Sequence, residues 1–234
     1  MERSHVPDIS QAFGGPKKRA AADDADDLQL SMRTTTNCRH NASVRLLWQS
    51  SLAFNATALL SLALIFIPLM QNSGVRVEFK DGVLNMMQVF LGVAVLVYSL
   101  IIGTARYEVR ALQLSQCADS IKELIRDLKV ERLKNGGELS IASLVVAQNR
   151  YAEILTSSEN HVENDYRLAM LYMHKDYDIP VGSRVLMRFE AIANKVSAMA
   201  APTILVFLVM YFASEMFGLT STTAQYLPSW RRDG

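Results

Sequence analysis

Three long stretches of this chain carry no charge. No Asp, Glu, Lys or Arg lies between Arg45 and Arg76, between Asp81 and Arg106, or between Lys195 and Glu215. Each run is long enough for a helix to cross a hydrocarbon core of ~30 Å, which takes roughly 20 residues. Lipid offers no hydrogen bonds, so a spanning run must satisfy its own backbone groups, and a helix does so. Elsewhere charge is balanced at 24 basic and 23 acidic side chains, net +1, which gives no broad attraction for nucleic acid.

These runs predict an all-α membrane protein. Its parts are an N-terminal transmembrane hairpin, a coiled-coil-like helical segment and a third, C-terminal transmembrane helix. Residues 1–36 read as a disordered tail, because Lys17-Lys18-Arg19 and Asp23, Asp24, Asp26 and Asp27 leave little apolar surface to bury. The hairpin occupies 37–105, with spans at about 46–70 and 83–105. Trp48 suits the interface at the start of the first span, and Pro68 falls in its last turn. The link around Asn72-Ser73-Gly74 is short, so the two spans run antiparallel. The third span covers 196–217, with 19 uncharged residues before Glu215 and Pro202 near its start, and a polar tail fills 218–234. The first 33 residues are polar, so no secretory leader is expected and the spans serve as their own insertion signals.

Between the second and third spans the pattern becomes amphipathic. Tyr107, Ala111, Leu114, Ala118, Ile121, Ile125 and Leu128 alternate spacings of four and three, a heptad seam continuing the second span as a possible single rod. Asn135-Gly136-Gly137 ends it, and a second helix is predicted over 140–174. The seam serves either self-association or internal packing against that second helix. Residues 183–195 are basic and amphipathic, and read either as an interfacial helix or as the start of the third helix. Arg33, Arg39 and Arg45 precede the first span and Arg106 and Arg110 follow the second, whereas the link carries only Arg76 and Lys80. The N-terminus and residues 106–195 are therefore expected to be cytoplasmic, although Arg231 and Arg232 in the far tail run against the rule.

No catalytic, cofactor-binding or metal site is expected. His5, His40, His161 and His174 show no metal-ligand spacing, and no nucleophile elbow, phosphate loop or dinucleotide fingerprint is present. The 13 carboxylates of 106–195 alternate with 13 lysines and arginines, the pattern of a solvated helix surface. Cys38 and Cys117 read as two unpaired, inert thiols. The informative polar residues lie within the spans: Ser51, Asn55, Thr57, Asn85, Gln88 and Ser99. In lipid such groups face protein or water. They serve either helix packing or, in an assembly of several hairpins, the lining of a pore.

The segment Asn37-Cys38-Arg39-His40-Asn41-Ala42-Ser43-Val44-Arg45-Leu46 directly before the first span resembles the corresponding motif of the SLATT family. Leu59 to Leu69, Phe90 to Leu100, Tyr151-Ala152-Glu153-Ile154-Leu155 and Glu159-Asn160-His161 extend the resemblance over roughly residues 36–214. It implies a bacterial two-span effector of antiphage defence, in a branch with an added C-terminal span. It also implies the inner membrane as location, a membrane-disrupting pore as action, and a nucleotide-messenger synthase or reverse transcriptase as partner, without direct contact to nucleic acid. Within the motif, Arg39 and Arg45 suit lipid phosphates and Asn37 and Asn41 suit helix capping; a messenger-binding role for Arg39 and His40 is the other reading. Two functions follow: a homo-oligomeric channel that opens on a signal, or a membrane-tethered scaffold whose helices recruit a soluble partner. A transporter fits less well, since the spans show neither an internal repeat nor an ionisable residue of the kind that couples transport.

Overall fold

The computed structural model describes residues 17–19, 23–74, 77–220 and 222–230, the side chains at 198, 223, 224 and 228 excepted. Three features of the sequence reading lie outside the described residues: the tail before Lys17, Arg76 in the link, and Arg231 with Arg232. The protein is an all-α membrane protein with three helices long and apolar enough to span. Helix α1 runs Asp24–Asn72, α2 Asp81–Ala105, α3 Tyr107–Lys134, α4 Ile141–Thr156, α5 Glu163–Tyr172, α6 Val181–Met216 and α7 Thr222–Tyr226. The basic stretch at 183–195 is thus the start of α6 and not a separate helix. Two compact units emerge, Met1–Leu47 with Glu108–Val196, and Trp48–Tyr107 with Ser197–Gly234. We refer to them as the helical unit and the spanning unit.

The spanning unit joins α1, α2 and α6 around one apolar cluster. Leu60 and Ile67 of α1, Leu84, Met87 and Leu91 of α2, and Val209 and Met216 of α6 meet there with Val77 and Phe79 of the link. Phe79 stacks on Phe212 with ring centroids 4.8 Å apart. The link is tied down by its backbone: Glu78 N–H donates to the Met216 carbonyl at 3.2 Å and Lys80 N–H to that of Trp230 at 3.0 Å. Leu62, Leu96, Leu100 and Phe207 point outward, where lipid is the natural solvent for them.

In the helical unit the heptad seam is used internally. Cys117, Ile121, Leu124, Ile125 and Leu128 of α3 bury against Met32 of α1 and Ala147 of α4, with Tyr151, Ile154 and Leu155 alongside. A second cluster joins Leu30 of α1 to Met170 and Met173, Tyr177 and Ile179, and Met187 of α6. Between α2 and α3 the helical backbone is interrupted at one residue, Arg106. Arg106 closes α2 in the left-handed conformation, φ 46°, a region that side chains other than glycine seldom occupy.

Two expectations about this unit need correction. The segment read as disordered to residue 36 is helical from Asp24. Ala25, Leu28, Gln29 and Met32 recur at three- and four-residue spacing and turn inward. The aspartates that suggested disorder form the helix start instead. The Asp23 carboxylate caps α1 by accepting the Asp26 N–H at 2.7 Å. Arg132 then donates to Asp23 at 2.8 Å and to Asp26 at 2.7 Å. Upstream, Lys17 and Lys18 pair antiparallel with Asp178 and Tyr177, and Lys18 forms an ion pair with Asp27. The single helix predicted over 140–174 is in fact two, α4 and α5, parted at 157–162. Ser157 turns its hydroxyl back to the Ile154 carbonyl at 2.7 Å, and Asn160 accepts the His161 N–H at 3.1 Å. Both bonds offer the backbone an alternative to helix.

Candidate functional site

The candidate polar residues of the spans fall into two groups. Near the link, Gln88 donates to the Gln71 side-chain oxygen at 2.6 Å, and Gln71 donates to Asn85 at 3.3 Å. This chain of amides joins α1 to α2. Gln71 was not among the candidate polar residues, being read as the start of the link, and only its position one turn beyond Ile67 would have marked it. Deeper in the span the polar groups behave differently. Thr57 returns its hydroxyl to the Ala53 carbonyl at 2.9 Å, the usual retreat of a threonine in lipid. Ser51, Asn55 and Ser99 are exposed on the outside of the unit. The structure therefore brings Asn85 and Gln88 together and leaves Asn55 apart from them.

The motif before the first span lies well inside α1 and not at its start, so Asn37 and Asn41 do not cap the helix. Asn41 instead donates from Nδ2 to the backbone carbonyl of Asp165 at 3.2 Å. Arg45 is not left for lipid phosphate. Its Nε reaches Asp165 Oδ1 at 3.2 Å and its Nη2 reaches Oδ2 at 3.1 Å, a two-pronged pair whose acid is buried. Ser43 donates to the Ala111 carbonyl at 2.8 Å, fixing α1 on α3. Asn37 is half-buried, and His40 is exposed and separate from this network.

Asp165 is the residue that sequence reasoning missed. It sits in the first turn of α5, where its carboxylate also accepts the Val162 N–H at 3.3 Å. The run Ser157-Ser158-Glu159-Asn160 marks a helix break, and an acidic residue shortly after such a break is its one sequence-level signal.

Around this pair the electrostatics are unusual. The buried Cys38 thiol is pushed up to about 12 by burial first and by Asp165 second, with Arg39 opposing. It is a poor nucleophile there. His161 is held below its usual range by burial and by the Arg39 charge, against the pull of Asp165. Burial also raises the Tyr166 phenol. Arg39 itself is 3 % exposed, and among the described residues its Nε and Nη1 have no hydrogen-bond partner. No group of three or more His, Cys, Asp or Glu that could hold a metal occurs among the described residues.

A comparison with known families gives one match. The family described as SMODS and SLOG-associating 2TM effector domain family 5 matches residues 22–214. No curated protein and no solved structure matches the chain. The match begins at the start of α1, two residues before Asp24, and runs through most of α6. It therefore takes in two candidate spans whole and most of a third, one more than the family description counts.

Proposed function

The chain belongs to SMODS and SLOG-associating 2TM effector domain family 5, and from that premise we propose that it is a membrane effector of antiphage defence, forming a pore as an oligomer. One observation carries the pore. Asn55 lies about ten residues into the first span, exposed, and among the described residues its amide has no partner. An amide facing hydrocarbon without a partner costs several kcal/mol, so it is completed by a second copy or by water. An assembly with Asn55 turned toward its axis supplies both. The Gln71, Asn85 and Gln88 amides then sit near one mouth of the path. In this reading the helical unit is cytoplasmic, as the arginines around the first two spans favour. Its trigger is a partner or a diffusible nucleotide signal from a neighbouring synthase or reverse transcriptase.

The test is electrical. Protein reconstituted into liposomes with its activating system should release trapped ions or dye, and Asn55→Leu should suppress release while leaving insertion intact. Tight vesicles at high protein occupancy would overturn the pore. A chimera separates pore from scaffold: if foreign spans preserve growth arrest, the native spans are anchors only.

A further inference from the structure

The first half of α6 turns an apolar stripe outward. Val181, Val185, Phe189, Ile192 and Val196 are each between 62 and 73 % exposed. From Val185 to Val196 the spacings are four, three and four, so these residues share one face of the helix, with Val181 one turn earlier. The opposite side is the packed one. Ser183, Met187 and Ala191 are buried there, and Glu190 pairs with Arg167 of α5. The stripe amounts to roughly 500 Å² of apolar surface, at the upper end of what a monomer leaves bare in water.

What covers the stripe is constrained by α6 itself. The helix is unbroken from Val181 to Met216, so this half is not a separate segment free to lie flat on the membrane. The same continuity leads it into the third span, Met199–Met216, so every copy in a bilayer presents the stripe in the same direction and at the same depth. Two copies therefore meet parallel and in register, the arrangement that a four-three spacing suits. Charge agrees with this. Arg184, Arg188 and Lys195 all lie along one flank of the stripe, and Leu186 and Ala193 along the other. In a parallel pair the basic flank of one helix meets the neutral flank of its partner, and no like charges are opposed. Two stripes together bury on the order of 1,000 Å², the threshold of a specific interface. We propose that the stripe over 181–196 is the contact through which a second copy of this chain pairs, α6 against α6 in a parallel coil. The contact rests on the oligomeric part of the function proposed above and not on conduction. Because the stripe is already exposed in the chain, pairing needs no trigger.

Cysteine cross-linking of the full chain in membranes tests this, in a Cys117→Ser background where Cys38 is buried. Phe189→Cys, Ile192→Cys and Val196→Cys should each form intermolecular disulfides under copper phenanthroline. Asn194→Cys, exposed at the same level but on the far side of the helix, should react at least about tenfold more slowly, since a disulfide needs Cβ atoms within about 4.5 Å. Adding Phe189→Asp to Ile192→Cys should cut its cross-linking at least about tenfold, through an unpaired carboxylate in the seam. Equal reaction at positions 192 and 194 would mean random collision and overturns the proposal, as does cross-linking undiminished by Phe189→Asp. If the three stripe variants stay monomeric while an amine-reactive reagent still links copies, this contact fails and the assembly stands. If both reagents leave only monomer, the oligomeric reading fails with it.

Discussion

Arg45 holds Asp165 with two parallel hydrogen bonds, at 3.2 and 3.1 Å, across 120 positions of sequence. The acid is 1 % exposed and the base about one third exposed. Removing one member of a buried pair strands the other, so Asp165→Asn is expected to destabilise the helical unit by about 3 kcal/mol, lowering the thermal midpoint on the order of 10 °C. Arg126 and Glu123 form the contrast, 3.9 Å apart and mostly exposed. Arg126→Gln should move the midpoint by no more than a degree or two. Equal shifts in the two variants would show that burial of Asp165 has no energetic weight.

His161 makes stability depend on pH. Its folded value lies below the ordinary histidine value, through burial first and the Arg39 charge second. The unfolded chain therefore binds the proton more readily, and stability falls as pH drops from about 6.5 towards the lowered folded value. Arg39 and Asp165 are the charged groups that act on it. Thermal melts between about pH 5.5 and 7.5 should show a slope that His161→Asn reduces. An unchanged slope in the variant would place the pH dependence elsewhere.

Cys38 should be inert in the folded chain. With its thiol at about 12, the thiolate fraction near pH 8 is on the order of one in ten thousand, and the residue is fully buried as well. In a Cys117→Ser background, maleimide labelling of Cys38 should be orders of magnitude slower in the native protein than in denaturant. Rapid native labelling would mean that α1 opens readily along this face.

Arg106 stores strain at the end of α2. A left-handed arginine costs roughly 1 kcal/mol that glycine does not incur, partly offset by the freedom glycine adds to the unfolded chain. Arg106→Gly is expected to raise the midpoint by a degree or two, and Arg106→Val to lower it by more, since a β-branched side chain tolerates this region least. A midpoint unchanged in both would mean that the junction does not hold this conformation in solution.

Much of the fold was legible because lipid imposes a simple rule. Uninterrupted apolar runs such as Leu59 to Ile67 and Phe90 to Leu100 have no other stable form there, and the seam from Ala111 to Leu128 announces its own period. What was not legible depended on distant partners. Asp23 and Asp26 look like part of a solvated tail until Arg132, more than 100 positions away, is seen to receive them. The break at 157–162 was hidden because apolar residues continue at helical spacing on either side. Composition weighs the four polar residues there less than the backbone does. Of the candidate polar residues, the spans' amides were found by scarcity alone, since any amide among so much hydrocarbon stands out. Asp165 was missed for the opposite reason, being one carboxylate among 13 in a charged segment.

The seam of α3 faces α1 and α4 of its own chain. Joining two copies through that strip would first require prising the subunit open and wetting Ile121, Leu124 and Leu128. In the proposed assembly the copies meet through other surfaces, and because the spans hold each copy in the bilayer the encounter is one in two dimensions. Molecules per unit area of membrane, and not their concentration in solution, would then decide when such a chain acts.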